Sequence, residues 1–579
     1  MKRVFLGLSG ALTHDPSAAL FIEGKLVAAA EEERFNRKKH SKNLMPYESA
    51  RFCLDFAGIS PDQVDVVAFP YAPISLFGPG RWHYAYRHWY APDRALTAIF
   101  NGNRRYRRNV KRVQELLKKL GIRWDDIRFV PVEHHLAHAS SAYHLSGFKG
   151  KTAILGIDGK GEYATTFFGY GENGRIYKIK EFYDPDSLGG LYGAITEYLG
   201  FEMLDGEFKV MGMGPYGDPN RYDLSKLIRF DGRNIKVNTR LVNTIGIRRY
   251  KEQGRGFYFS PRLVEWLGPR RIGDDVDEPY IHYAASIQKI FEEISLGLID
   301  YYLSDIIKET GNLCFAGGSA LNVKLNQRII DLPYVKELFV QPAASDAGTA
   351  IGAASFAISQ MGMEVERLEH VYLGPSFTTE QCIQACREHK EQPVWKVVDN
   401  VPLVGAKLLA AGHPVAWFQG RMEFGPRALG CRSILGCPSI RGISDRINRQ
   451  IKYRERWRPF CPSILDRLAR DILQTDHPAP YMTFSFDVAE KWKTKIPEVI
   501  HKDGTLRAQV VDRKTNPRYY ALIEELERLT GAGVVLNTSL NRRGEPIVCT
   551  PDDALNMFFA SDLQYLIMED VLVTKKTAQ

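Results

Sequence analysis

A strand, a small-residue loop and a hairpin occur twice in this 579-residue chain, and that repetition constrains the fold more than any other feature. Val4-Phe5-Leu6-Gly7-Leu8 runs into Ser9-Gly10. A hairpin follows, with arms 18–22 and 25–29 about a turn at Glu23-Gly24. The pattern returns at Ala153-Ile154-Leu155-Gly156-Ile157, which runs into Asp158-Gly159. Its hairpin arms are 165–170 and 175–179, about a turn at Glu172-Asn173-Gly174. Short apolar runs bounded by Gly-containing turns are strand signals, and each copy is followed by helix-forming sequence.

Two such copies predict an α/β fold with a duplicated, actin- or sugar-kinase-like N-terminal domain. In that architecture small-residue loops let backbone amides approach phosphates closely. Cys314-Phe315-Ala316 meets Gly317-Gly318 and then a helix, which reads as a strand-to-helix phosphate loop. Lys209 to Gly217 is a further Gly-rich segment. A strand at 337–340 leads to Ser345-Asp346-Ala347-Gly348, placing Asp346 at a strand end near a helix start, where a carboxylate serves as a cap or a ligand. His134 and His138 lie one helical turn apart in Glu133-His134-His135-Leu136-Ala137-His138-Ala139. On a helix both imidazoles can reach one metal ion, with Asp346 as third ligand.

Polar sequence after Pro375 marks a junction, and the sequence divides into domains 1–375 and 376–579. The second domain has buried-type strands at 414–418 and 533–536. Between and beside them lie dense basic motifs: Phe424-Gly425-Pro426-Arg427-Ala428-Leu429-Gly430-Cys431-Arg432-Ser433, then Lys452 to Phe460, with Arg458, and His501 to Gln509, with Arg507. Asn537-Thr538-Ser539 follows. Arginines beside Gly/Pro turns and a Ser/Thr/Asn loop suit bidentate recognition of phosphate or carboxylate.

The net charge is +9, and residues 81–120 hold an excess equal to it, with Asp93 and Glu115 as their only acids. The stretch also carries Trp82, Tyr84, Tyr86, Trp89 and Tyr90. It reads either as a surface for nucleic acid, anionic lipid or an acidic glycan, or as a helical insertion with a solvated basic face. No nucleic-acid motif accompanies it, so no nucleic-acid partner is predicted. No apolar run reaches the ~18 residues of a membrane span. The eight cysteines are scattered and no export signal is evident, which predicts a cytoplasmic protein.

Taken together the motifs resemble the O-carbamoyltransferase family of the nodulation-factor, cephamycin and tobramycin pathways. The matching stretches are Thr13 to Ala19, Ala30 to Phe35, His134 to Ala139, Asp158 to Glu162, Gly317 to Asn322, Ser345 to Gly348, Phe424 to Leu435, Lys452 to Ser463 and Leu536 to Val548. The resemblance implies a metal-dependent carbamoyl-transfer domain followed by a domain similar to threonylcarbamoyl-adenylate synthase. The second domain would make carbamoyl adenylate from carbamoyl phosphate and ATP, with Mg²⁺ on ATP. The first would pass the carbamoyl group to a hydroxyl of a small-molecule, sugar or glycan acceptor.

On that reading Arg427, Arg432, Lys452, Arg458, Arg507, Asn537, Thr538 and Ser539 bind carbamoyl phosphate and ATP. His134, His138 and Asp346 bind Fe²⁺, with Zn²⁺ or Mn²⁺ possible on ligand type. Asp158, Glu207, Lys209, Gly317, Gly318 and Asn322 border the nucleotide. His14 is the candidate base, with Asp15 beside it and Asp158 as a further alternative. Two other readings stay open: a tRNA threonylcarbamoyl transferase-like enzyme, and a non-catalytic nucleotide-binding regulator of the actin-like group.

Overall fold

A computed structural model describes residues 3–575. The chain forms two compact units, one of residues 3–28 and 43–368, the other of 29–42 and 369–575. The sequence division is therefore interrupted in one place. The segment 29–42, which lies within the first repeat, belongs to the second unit.

The first unit contains the repeat as two five-stranded sheets of identical topology. In the first sheet the order is Lys25–Glu31, Ser17–Ile22, Val4–Leu8, Val66–Phe69, Arg128–Pro131. Val4–Leu8 pairs antiparallel with Ser17–Ile22, from Val4 opposite Ile22 to Leu8 opposite Ala18, and parallel with Val66–Phe69. In the second sheet the order is Arg175–Tyr183, Ala164–Glu172, Thr152–Ile157, Asn312–Ala316, Glu337–Val340. Thr152–Ile157 again pairs antiparallel on its hairpin side and parallel on the other. Both hairpins close through two residues at positive φ, Glu23-Gly24 and Asn173-Gly174, the geometry whose twist matches that of the strands. This duplicated order is the actin- and sugar-kinase-like α/β fold.

Each copy sends the helix after its last strand to the other copy's sheet. His134–Ser146 lies on the second sheet, and Thr349–Gln360 lies on the first. The two helices cross where Gly352 faces Ala137, and a Cβ on Gly352 would sit 1.8 Å from the Ala137 carbonyl oxygen. Such a close crossing fixes the histidine-bearing helix against the Asp346 segment.

The second unit is built on an eight-stranded mixed sheet: Val394–Val397, Val571–Thr574, Tyr565–Met568, Val415–Phe418, Arg432–Gly436, Val534–Ser539, Cys461–Leu465, Gln509–Val511. Helices Val401–Ala410 and Pro517–Thr530 cover it with Val401, Leu409, Leu522, Ile523 and Leu526 around the fully buried Trp417. The segment 29–42 is tied into this unit by arginines. Arg34 donates to the Gly425 carbonyl at 2.8 Å, and Arg37 donates to the carbonyls of Ile547 and Pro546 at 2.6 and 2.9 Å.

Candidate functional site

In the first unit four side chains converge from three places in the sequence. His134 and His138 come from the helix His134–Ser146, Asp158 from the end of the strand Thr152–Ile157, and Asp346 from the turn after Glu337–Val340. Their candidate donor atoms all lie within 4.8 Å of one another. His134 Nε2 is 3.4 Å from Asp346 Oδ1 and 3.7 Å from Asp158 Oδ2, and His138 Nε2 is 3.6 Å from Asp346 Oδ1. Both ring nitrogens of both histidines, and Asp346 Oδ2, are buried without a hydrogen-bond partner. Buried polar atoms are normally satisfied, so convergent orphans on a two-histidine, two-carboxylate set fit a metal ion. Asp158 was expected beside a nucleotide; the structure adds it to this donor set.

Supporting groups hold the cluster. Gly317 (φ 93°) packs against the Ile157 carbonyl, and the Gly318 amide donates to Asp158 Oδ1 at 2.8 Å. The double glycine thus orients a cluster carboxylate. The Glu162 carboxylate accepts the backbone amides of His134 at 3.2 Å and Ala72 at 2.9 Å. It answers the orphan amides at the start of the histidine helix, whose own Glu133 makes no cap. Burial pushes Glu162 up to about 7. Sequence reasoning missed this residue, whose only signal is its place in the Asp158 to Glu162 motif.

His14 stands at the edge. Its Nδ1 is 3.1 Å from Asp15 Oδ2 and its Nε2 is 3.7 Å from Asp346 Oδ2. Burial opposes its charge, but Asp346 and Asp15 outweigh burial and raise it to about 9. Burial likewise works against ionisation of Asp346, yet His134 and His14 hold it well below the carboxylate range. His135, on the same helix, is pushed down to about 3 by burial and by His134.

Glu207 and Lys209 lie on the helix Glu207–Met213 and are not among the cluster's ligands. Glu207 Oε1 accepts the Leu204 amide, and the Lys209 ammonium sits 5.3 Å above the Phe201 ring. Asn322 also has a place in the fold. Its Oδ1 caps the helix Val323–Ile330 by accepting the Leu325 amide at 3.0 Å, and its amide pairs with Gln288, so both ends of the side chain are spent on the fold.

In the second unit the cations gather. Arg427, Arg458 and Arg507 act on one another, and Arg454 and Lys452 join them. Burial pushes Arg427 down to about 9, and Arg507 and Arg458 add to the effect. Arg454 and Lys452 are depressed for the same reasons, burial first and neighbouring guanidinium groups second. Arg507 Nε donates to Cys461 Sγ at 2.8 Å, and Arg454 Nε donates to Asn448 Oδ1 at 2.6 Å while its Nη2 is buried without a partner. Among the described residues the fully buried Glu455 is the counter-charge, 3.6 Å from Arg458 and 3.4 Å from Arg543. Lys452 Nζ donates to Ser539 O, Ser539 Oγ, Asn541 O and Asn541 Oδ1 at 2.6 to 3.3 Å, which anchors it to the loop after Val534–Ser539. Thr538 is half-buried in that strand opposite Ile434. Arg454 is a residue that sequence reasoning passed over inside a motif it had singled out.

One expected member is spent on backbone carbonyls. Arg432 is fully buried, its Nη1 donating to the carbonyls of Gln419, Gly420 and Cys431 and its Nη2 to Pro375, all within 3.1 Å, with its plane 3.6 Å from the Phe418 ring. It holds the turn between the central strands Val415–Phe418 and Arg432–Gly436. The Asn537 amide donates to Ala428 O and Ser463 Oγ, both at 3.1 Å, while its Oδ1 is buried without a partner.

The carbamoyltransferase N-terminal family profile matches residues 4–355, and the C-terminal profile matches residues 406–575. The chain belongs to the carbamoyltransferase family. An uncharacterized protein of Synechocystis is 37% identical over 99% of this chain and 97% of its own length. Nodulation protein NolNO of Sinorhizobium fredii is 34% identical over 99% of this chain and 81% of its own, and nodulation protein NolO of Bradyrhizobium diazoefficiens is 35% identical over 77% and 79%. Among solved structures, component A of (R)-2-hydroxyglutaryl-CoA dehydratase from Acidaminococcus fermentans aligns over 62% of this chain and 99% of its own, at TM-score 0.36 and 13% identity. The fold assignment rests on the duplicated strand order described above. This carbamoyltransferase has no helix, among the described residues, long and apolar enough to cross a membrane.

Proposed function

We propose that the enzyme works in two steps, one in each unit. In the first, carbamoyl phosphate and MgATP react in the second unit. Water releases phosphate from carbamoyl phosphate, and a carbamate oxygen attacks the α-phosphorus of ATP. Pyrophosphate leaves and carbamoyl adenylate forms. In the second step the first unit passes the carbamoyl group to an acceptor hydroxyl and AMP leaves. One observation carries this reading. Arg427, Arg454, Arg458 and Arg507 gather at one place, where burial and mutual repulsion hold Arg427 and Arg454 below the usual guanidinium range, a surplus of positive charge that two phosphorylated substrates would offset. Planar guanidinium groups suit the carbamoyl phosphate dianion and the triphosphate, and they stabilise the charge that grows on the departing phosphates.

In the first unit His134, His138, Asp158 and Asp346 would hold the metal, Fe²⁺ on the two-histidine, carboxylate pattern, with Zn²⁺ or Mn²⁺ also suited. Bound there, it would supply a Lewis acid that orients oxygen ligands of the donor. His14, whose Nδ1 is fixed by Asp15, carries its proton at neutral pH while Asp346 faces it; a cation on Asp346 would offset that carboxylate, lower His14 and free Nε2 to take the acceptor's proton. Gly317 and Gly318 border this site and would let a nucleotide approach the backbone. The acceptor is a small molecule, sugar or glycan, the class that the relationship to nodulation proteins favours.

The test is release of pyrophosphate and phosphate from ATP and carbamoyl phosphate without acceptor. Pyrophosphate is expected only when both substrates are present. Release independent of carbamoyl phosphate would overturn the assignment of the second unit, and activity confined to tRNA would overturn the acceptor class.

A further inference from the structure

The basic, aromatic stretch is not a uniformly solvated face. Two of its arginines are structural: Arg81 donates to the carbonyls of Ile74 and Ile99 at 2.9 and 3.2 Å, and Arg87 is buried against Asp186 and the Val237 carbonyl. They hold a pair of helices, Pro79–Arg87 and Pro92–Asn101, in a fixed hairpin. Beside Asp93, Arg94, Thr97 and Asn101, this scaffold leaves large apolar side chains in solvent. Phe77 is 83% exposed, Phe100 80%, Trp89 74% and Tyr86 71%. Trp82 and Tyr86 are one turn apart on the first helix, and Leu96 and Phe100 are one turn apart on the second. The shared contacts of Arg81 bring the Phe77 end of one helix to the Phe100 end of the other. At the opposite end Arg248 stacks 3.4 Å over the Tyr90 ring and carries Ile247, 90% exposed, beside Trp89 and Tyr90. The next helix, Arg104–Leu120, presents exposed Arg104, Arg107, Arg108 and Lys111.

We propose that this helical hairpin seats the enzyme on the surface of an anionic lipid bilayer. Large apolar side chains held outward by buried arginines, and flanked by a basic helix, have the composition of an interfacial anchor. The aromatic rings enter the headgroup boundary and the arginines meet lipid phosphates. A second copy of the chain fits less well, because a two-fold contact through this patch would bring its arginines against their own copies. The hairpin lies in the first unit, which the proposed function assigns to transfer, so its acceptor or its product would be met at a membrane. The anchor itself does not depend on that assignment.

Flotation of the full chain with vesicles tests the proposal. Phosphatidylcholine vesicles containing phosphatidylglycerol should carry at least about tenfold more protein than phosphatidylcholine alone, with binding weakened by 0.5 M salt. The triple variant Phe77→Ser, Trp89→Ser, Phe100→Ser should lose that binding while retaining the melting curve of the parent chain. Should the triple variant not fold, brominated lipid offers a second readout: it should quench tryptophan fluorescence of the parent chain, and less so in Trp89→Phe. The proposal is overturned if the parent chain stays unbound on anionic vesicles at low salt, or if the folded triple variant binds undiminished. It also fails if sedimentation shows a concentration-dependent dimer that the triple variant abolishes, or if an RNA homopolymer, not vesicles, binds through these residues.

Discussion

The histidine–carboxylate cluster of the first unit carries both signs of charge, whereas the arginine cluster of the second carries almost one. In the first, His14 and His134 are raised and Asp158 and Asp346 are lowered, so each group is stabilised by its opposite even before a metal enters. Metal entry there displaces protons. In the second, Arg427, Arg454 and Lys452 are all depressed, and only an anion can relieve them. One site is a closed ion network that a cation can take over. The other is an open repulsion that a polyanion resolves. The two should therefore respond oppositely to mutation.

The largest separation is expected from His138→Ala. It removes a proposed metal ligand while leaving the arginine cluster intact. Transfer to an acceptor should fall by more than the roughly 10–100-fold that loss of an outer partner of a metal ligand costs. Pyrophosphate release without acceptor should stay within about twofold. Equal loss of both activities would show that the two clusters serve one step. Bound metal, measured by elemental analysis, should fall with transfer.

The converse variant is Arg427→Ala. Pyrophosphate release should drop by about 10²–10³-fold, as for removal of one preorganised charge stabiliser. Transfer from supplied carbamoyl adenylate should persist. A release rate near that of the parent chain would remove Arg427 from the anion site.

Stability sharpens the same contrast within the second unit, between two arginines five positions apart in the sequence. Among the described residues Arg427 has no carboxylate partner, and it is opposed by Arg507 and Arg458. Arg427→Ala should leave the unliganded melting temperature unchanged or higher, because it removes repulsion, as happens where a site is held ready for a ligand. Arg432 satisfies four carbonyls. Arg432→Ala leaves the buried Gln419 carbonyl without its donor and takes one donor each from the Cys431 and Pro375 carbonyls, which keep the amides of Gln419 and Met422, and should cost roughly 1–3 kcal/mol, read by denaturant titration. Similar unfolding midpoints for both variants would dissolve the distinction between a binding and a structural arginine.

That distinction also marks how far the sequence was legible. The duplicated sheets could be read because each copy carries its own strand, loop and Gly-containing hairpin turn, all local signals. The histidine pair could be read because four-residue spacing on a helix is local too. Asp158 reads as a nucleotide neighbour in the sequence because its place in the histidine–carboxylate cluster depends on the strand Thr152–Ile157 lying beside Asn312–Ala316, a pairing no spacing reveals. Arg432 reads as a binding group for a related reason. A side chain aimed at backbone carbonyls has the same letter as one aimed at a phosphate. The excursion of 29–42 into the second unit rests on Arg34 and Arg37 finding carbonyls about 390 and 510 residues away, again beyond any local pattern.

The smallest effect expected tests whether the first cluster depends on its scaffold as the second does not. Gly352 lets the helix Thr349–Gln360 cross His134–Ser146, and an added methyl would meet the Ala137 carbonyl at 1.8 Å. Backbone cannot yield as a flexible side chain would, so Gly352→Ala must push the two helices apart. Overpacking of this kind costs about 1–3 kcal/mol. Ala137 directly precedes His138, and Asp346 precedes the moving helix by three residues, so the displacement reaches two of the four cluster residues. Metal affinity should weaken, transfer should fall in step with metal content, and excess metal should restore part of it. Pyrophosphate release should not change. A Gly352→Ala enzyme that kept its metal and its melting temperature would mean that the helices adjust around the crossing, and that the cluster is set by its own charges and not by the packing beneath it.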